Sequence, residues 1–297
     1  MKKFHKLSVL NVLNLPLFAQ DKIREYSKSE VIFPNHDSES EEETIKIIGD
    51  SDAVLGSWNT TITAKVLDAC PKLKYIGICG TSMSKIDVAE VIKRGIVIKN
   101  VTDYGDEAVG EFIFAQLLML FRGYGKYKWS EPTSELNGKK IGIVGLGAVG
   151  RIVADLALGF KMSVSYHSKT RNQLYEEKGV KYCALDTILT DSDIISLHVP
   201  RDIMILSSDK FNLISQKVAL VNTCIGSVMD LDAFNKWIST NSSYAIFDNQ
   251  DYLSEIINLP RVIAPTDHAA HTQESITRLS QKAIDNIESF LEQSTKT

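Results

Sequence analysis

The chain has 297 residues, 44% hydrophobic and 24% charged, with 33 Lys and Arg against 37 Asp and Glu for a formal net charge of −4. That balance excludes a disordered chain and leaves no basic stripe of the kind that holds nucleic acid. The length accommodates two domains of ordinary size.

Near the N-terminus, Lys2, Lys3 and Lys6 precede the apolar run Leu7-Ser8-Val9-Leu10. Asn11, Asn14 and Pro16 interrupt that run and no A-x-A-like cleavage site follows, so a buried first strand and a turn are expected rather than a secretory signal. No stretch approaches the ~18 apolar residues of a membrane span. Cys70, Cys79, Cys183 and Cys224 show no C-x-x-C spacing and read as reduced thiols. A cytoplasmic protein with neither membrane nor nucleic acid as partner is expected.

From residue 7 to about 100 short apolar runs alternate with helical spacing. Strands are expected at residues 8–13, 31–33, 53–56, 75–79 and 97–99, and helices at 23–28, 42–48, 64–69 and 88–94. Such alternation points to a parallel sheet with helices on both faces. Residues 107–122 read as a long apolar helix in a core or an interface. A mostly polar connection over 123–138, containing Pro132, leads to a second α/β unit. Its strands are expected in the apolar run ending at Gly145 and at 163–166, 194–198, 218–222, 244–247 and 262–264, with a closing helix over 273–292.

The run Lys140-Ile141-Gly142-Ile143-Val144 stops at Gly145-Leu146-Gly147-Ala148-Val149-Gly150, a G-x-G-x-x-G followed by the helix-forming stretch 151–160. A dinucleotide site requires that order. Gly145 permits the tight turn, Gly147 lets the backbone approach a pyrophosphate, and Gly150 lets helix and strand pack closely. The diphosphate would lie at the helix N-terminus, where unpaired N–H groups and the dipole favour negative charge. At the end of the next strand, where an NAD site carries Asp or Glu for the ribose, the chain reads His167-Ser168-Lys169-Thr170-Arg171. Two cations and several hydroxyls suit a 2′-phosphate, so NADP is the preferred cofactor and NAD the alternative.

The order of motifs resembles the D-isomer-specific 2-hydroxyacid dehydrogenases over nearly the whole chain. Leu73-Lys74-Tyr75-Ile76 with Gly80, Ile86 and Asp87 resembles the family's substrate-domain loop. Asp106-Glu107-Ala108-Val109-Gly110-Glu111 resembles the start of its connecting helix, and Ser192-Asp193 with His198-Val199-Pro200 its S-D-x-x-x-x-H-x-P. Val221-Asn222-Thr223 and Asp230 match the ends of N-T-x-R-G-x-x-V-D, and Asp248 an aspartate after a late strand.

The resemblance implies two Rossmann-like, doubly wound parallel-sheet α/β domains. A flavodoxin-like substrate domain, residues 1–101 with 270–297, would be split around a dinucleotide-binding domain, residues 102–269. It further implies a homodimer and a small-molecule 2-oxo or 2-hydroxy acid held between the domains. Backbone amides of Thr81 and Ser82 would face a substrate carboxylate. Beside the glycine turn, His198, Val199, Pro200, Thr223, Cys224 and Asp248 would border the cofactor.

The family works with an Arg that binds the carboxylate, a His that acts as general acid–base and a Glu that orients the His. Here the Arg position holds Ile225 and the Glu position Leu253, with Glu255 two residues on. The histidine block reads Pro265-Thr266-Asp267-His268-Ala269-Ala270-His271-Thr272, and either Asp267 or His268 occupies the histidine position. His268 is the better proton-transfer group because an imidazole titrates near neutral pH. His268 and His271 could also come together at the start of a helix as metal ligands, but no third ligand is evident and no metal is assigned. The loop after Pro200 is shorter than the family's and opens with Arg201, a candidate replacement cation.

Losing a general acid–base costs about 10²–10⁴ in rate, and a lost charge-assisted contact about 1.5–3 kcal/mol more. Two function classes therefore stand: an NAD(P)-dependent oxidoreductase with a rearranged site, and a catalytically silent dinucleotide sensor or assembly protein. Nucleophilic catalysis at Cys224 or Cys79 is a weaker third, since neither has a His or Asp partner in sequence.

Overall fold

Period-two alternation builds the first of two sheets. The computed structural model describes residues 3–248, 253–265 and 268–293, and the chain divides into two units, Met1–Tyr104 with Thr272–Thr297, and Gly105–His271. In the first, β1 (Leu7–Val9), α1 (Leu17–Glu25), α2 (Glu41–Ile48), β2 (Ala53–Ser57), α3 (Ala64–Ala69), β3 (Tyr75–Cys79), α4 (Val88–Lys93) and β4 (Val97–Asn100) follow one another. The strands pair in parallel in the order β1-β2-β3-β4. Ala53, Leu55, Tyr75 and Cys79 point into one apolar layer with Ile23 of α1, while Val54, Ile76 and Ile78 point into the other with Ile48, Val66 and Val91. Successive strand side chains face opposite ways, so both faces are apolar only because helices cover both.

The expected strand at 31–33 does not form. Pairing at that edge is taken up earlier, in a bridge between Phe4 and Ser27, where Phe4 N–H donates to the Tyr26 carbonyl at 2.8 Å and Lys28 N–H to the Phe4 carbonyl at 3.0 Å. Val31 is still buried, but Ile32 is 70% exposed and Pro34, which has no N–H, follows. The first helix also starts earlier than the expected 23–28, directly after Pro16, a residue suited to a helix start.

In the second unit α5 (Asp106–Arg122) precedes β5 (Lys140–Val144), α6 (Ala148–Gly159), β6 (Ser163–His167), α7 (Gln173–Glu177), β7 (Lys181–Tyr182), α8 (Leu185–Asp191) and β8 (Ile194–Leu197). Then come α9 (Ser208–Phe211), β9 (Ala219–Asn222), α10 (Leu231–Thr240), β10 (Tyr244–Phe247) and β11 (Val262–Ile263). The seven strands are parallel in the order β11-β10-β9-β8-β5-β6-β7. The chain winds outward from β5 in one direction to β7, then returns to the other side of β5 at β8. That reversal opens a crevice at the carboxyl ends of β5 and β8, where doubly wound sheets bind ligands.

Helix α5 buries Ile113, Phe114, Leu117, Leu120 and Phe121 on one stripe. Gly110 lets it lie close to α6, because a Cβ there would come within 2.6 Å of Ile152 Cγ2. It ends at Gly123 in the left-handed region, φ 66°, as helix C-termini often do. The expected two-unit parallel α/β fold is therefore present.

The last helix, α11 (Gln273–Gln293), belongs to the first unit and lays Leu279, Ala283, Ile284, Ile287 and Leu291 against the Tyr75–Cys79 layer. This 3.6-residue stripe makes the C-terminal segment part of the first unit's core. Ile287 is fully buried, so Ile287→Ala is expected to destabilise the first unit by about 2–5 kcal/mol, read as a lower denaturant midpoint.

Candidate functional site

Two backbone bonds bring the glycine turn, β6 and β8 together. His198 N–H donates to the Val144 carbonyl at 2.7 Å, and Gly145 N–H donates to the His167 carbonyl at 2.8 Å. Gly145 has φ 97°, and a Cβ on it would overlap the His198 carbonyl oxygen. A Cβ on Gly150 would overlap the Gly145 carbonyl oxygen, so both glycines are demanded by the protein's own packing. Gly147 is different. A Cβ there would meet no protein atom within 4 Å, and the residue is exposed at the start of α6 with no side chain capping the helix. The fold leaves this position open, and the first-turn amides at Ala148, Val149 and Gly150 face an anion-binding helix end. The turn fits a pyrophosphate.

The loop after β6 is anchored from below. Tyr166 OH donates to Glu176 Oε1 at 2.7 Å and accepts from Asn172 N–H at 2.7 Å. His167 Nδ1 donates to the Cys183 carbonyl at 3.1 Å. Arg171 forms a two-pronged ion pair with Glu176, and its guanidinium lies 5.2 Å over the Tyr182 ring. Ser168 is half-buried and Lys169 exposed.

On the other side of β5, burial lowers the His198 pKa to about 3, which keeps the ring neutral. Its Nε2 lies 2.8 Å from Ser196 Oγ. Cys224 is a structural thiol: Sγ donates to the Leu197 carbonyl at 3.1 Å and accepts from Val199 N–H at 3.3 Å, and burial pushes its pKa up to about 12. Burial likewise pushes Cys79 up to about 12. Neither supplies a thiolate, and the nucleophilic reading of both cysteines is corrected. Val199 and Thr223 are half-buried and Pro200 exposed on the same two loops.

Asp248 directly follows β10 and is buried, and its Oδ1 accepts from Ala269 N–H at 2.9 Å. His268 Nδ1 lies 3.8 Å from the same oxygen, with its ring largely exposed. A carboxylate thus stands beside the imidazole, a pairing invisible in sequence because 20 residues separate the two. His268 and His271 do not open a helix. The His271 N–H closes a turn onto the His268 carbonyl at 3.0 Å, and α11 begins at Gln273. Ala270 packs where a Cβ on Gly105 would be, 2.8 Å away, seating this turn at the start of α5. Asp267 lies outside the described residues. Among the described residues no three His, Cys, Asp or Glu side chains gather as a metal site.

Ile225 is 43% exposed on the β9 loop, whereas Leu253 is fully buried among Phe247 and Ile256. Glu255 is exposed on the turn that follows. Arg201 is half-buried, its Cγ 2.8 Å from where a Gly226 Cβ would stand. In the first unit, Thr81 and Ser82 follow β3. Asn100 Nδ2 donates to the Thr81 carbonyl at 2.7 Å, and Ser82 Oγ accepts from Ser84 N–H at 3.3 Å. Trp58, 48% exposed, lies against Gly80 at the head of this loop. Sequence reading passed over it, though a lone Trp just after a strand was the available signal.

A parallel sheet that reverses direction at β5, with an uncapped helix behind a glycine left open at 147, defines an α/β dinucleotide-binding protein. Residues 120–270 match the family model for the NAD binding domain of D-isomer specific 2-hydroxyacid dehydrogenases. A glyoxylate reductase of Thermococcus litoralis is 30% identical over 271 residues, 80% of this chain and 80% of its own. A hydroxypyruvate reductase of Blautia hydrogenotrophica is 26% identical, over 84% and 85%. An acyclic imino acid reductase solved in complex with NADPH and D-Arg superposes with TM-score 0.83 at 29% identity, covering 97% of this chain and 98% of its own. The chain belongs to the D-isomer-specific 2-hydroxyacid dehydrogenase family, whose members are oxidoreductases that use a nicotinamide cofactor on the CH–OH of 2-hydroxyacids. Among the described residues no helix is long and apolar enough to cross a membrane.

Gly147→Ala should leave the melting temperature nearly unchanged while weakening dinucleotide binding about tenfold, one lost contact's worth. Gly150→Ala should instead lower the melting temperature, as scanning fluorimetry with and without cofactor would show. His198 has a second consequence. Its folded pKa lies below the unfolded value near 6.5, so the unfolded state gains the proton first and stability falls as pH drops from about 6.5 towards 3. His198→Asn should flatten the melting temperature against pH over that window.

Proposed function

We propose that this protein is an NADP(H)-preferring reductase of a 2-oxo acid or a related carbonyl or imine, with its proton-transfer site rebuilt around His268 and Asp248. The observation that carries the reading is the His268 Nδ1–Asp248 Oδ1 approach of 3.8 Å at the end of β10. Asp248 accepts from the Ala269 N–H, so it is held where it can orient the imidazole, the work expected of the family's glutamate. When bound, the nicotinamide supplies or accepts a hydride at C4. His268 gives a proton to the substrate heteroatom on reduction and takes it back on oxidation. Asp267 is the alternative proton carrier.

The unit Gly105–His271 would hold the cofactor and the other unit the substrate. The diphosphate would rest on Gly145, Gly147, Ala148, Val149 and Gly150. His198, Val199, Pro200, Thr223 and Cys224 would border the cofactor, and the Thr81 and Ser82 amides would face the substrate. Ser168, Lys169 and Arg171 support NADP over NAD, since no residue from 167 to 172 carries a carboxylate. Glu176 engages Arg171 through Nε and Nη2, so a 2′-phosphate would meet the exposed Lys169 and the remaining edge of Arg171. The NADPH in the imino acid reductase complex supports the same preference and brings C=N substrates into the test. The exposed Met119 on α5 and Tyr124 beyond it support a homodimer, and four free cysteines accord with a cytoplasmic location.

Ile225 favours a second reading, a nucleotide sensor without turnover, because hydrocarbon stands where a carboxylate would be held. NADPH absorbance with 2-oxo acids, aldehydes and imino acids separates the two. The expected result is consumption that is faster than with NADH and falls about 10²–10⁴-fold in His268→Ala, with a smaller loss in Asp248→Asn. Tight NADPH binding without consumption of any of these would replace the reductase with the sensor.

A further inference from the structure

We propose that Arg201 has taken over the binding of the substrate carboxylate from the position now held by Ile225. This rests on the reductase reading above and adds to it the residue that selects an acidic substrate. Arg201 opens the loop that leaves β8 after His198-Val199-Pro200, beside the glycine turn. Its stem lies over the β9 loop: a Cβ on Gly226 would stand 2.8 Å from Arg201 Cγ and would overlap Asp202 Oδ1. Gly226, at φ 86°, is therefore the space that Arg201 and Asp202 occupy, and it is the immediate neighbour of Ile225.

The loop is pinned there. Asp202 takes the left-handed region at φ 58°, and its Oδ1 accepts from Ser227 N–H at 3.1 Å, which turns that carboxylate toward the β9 loop backbone. Arg201 is half-buried and its Nε is enclosed. Its stem lies beside Gly226, the neighbour of Ile225, and a planar, permanently charged fork on that stem can make a bidentate contact to a carboxylate. Ile225 then packs beside the substrate as hydrocarbon.

The test is oxamate binding to the NADPH-loaded protein, read by cofactor fluorescence. Arg201→Ala is expected to weaken oxamate about 10- to 100-fold, the range of a charge-assisted hydrogen bond, with NADPH affinity unchanged. Arg201→Lys should weaken it less, and Ile225→Arg placed in the Arg201→Ala protein should restore it. Wild-type oxamate affinity in Arg201→Ala, no oxamate binding by the wild type, or a loss that Ile225→Arg fails to restore overturns the proposal. NADPH consumption measured in parallel tests the reductase reading separately, because oxamate binding requires no turnover.

Discussion

Gly145 must pass beneath the His198 carbonyl with no side chain in between, and the nucleotide-binding unit is arranged around that contact. The crossing occurs where β5 has one sequence-later neighbour on each side, β6 and β8. Hydrogen bonds from Gly145 to His167 and from His198 to Val144 close both flanks. With the three strand ends held so closely, the amino end of α6, the loop after β6 and the Pro200 loop converge at one edge. Gly150 extends the constraint by letting α6 sit on the turn. Of the three glycines of the turn, Gly147 is the one whose Cβ position meets no protein atom within 4 Å.

The buried carboxylate at the end of β10 obeys a different constraint, the cost of burying an unpaired charge. Asp248 is buried, and the Ala269 N–H and the His268 ring are among the groups brought to it. Leu253 lies nearby in sequence but faces the Phe247 and Ile256 layer, where a glutamate could not be solvated. His198, which shares the same sheet edge, is held neutral by burial and is a structural histidine at neutral pH.

Much of this was legible without coordinates. The glycine turn, the strands on either side of it, α5 and α11 were each readable from local spacing, because helix and strand periods and glycine's lack of a Cβ are properties of short segments. The strand at 31–33 was misread for the same reason. Its apolar run satisfies the local pattern, yet strand pairing depends on which backbone arrives first at the edge, and Ser27 does. The helical pairing of His268 with His271 failed because the turn closes there and the helix starts later.

The parallel α/β class, the nucleotide turn and the residues Ile225 and Leu253 are all written in contiguous stretches of the chain. Folding was needed to set Asp248 beside His268, to bury Leu253 in the core, to make Cys224 a neutral bridge between Leu197 and Val199, and to lay the Arg201 stem over Gly226. Those pairs are separated by about 20 to 27 residues or depend on burial, and neither a distance between strand ends nor the dielectric around a side chain is encoded in any local pattern.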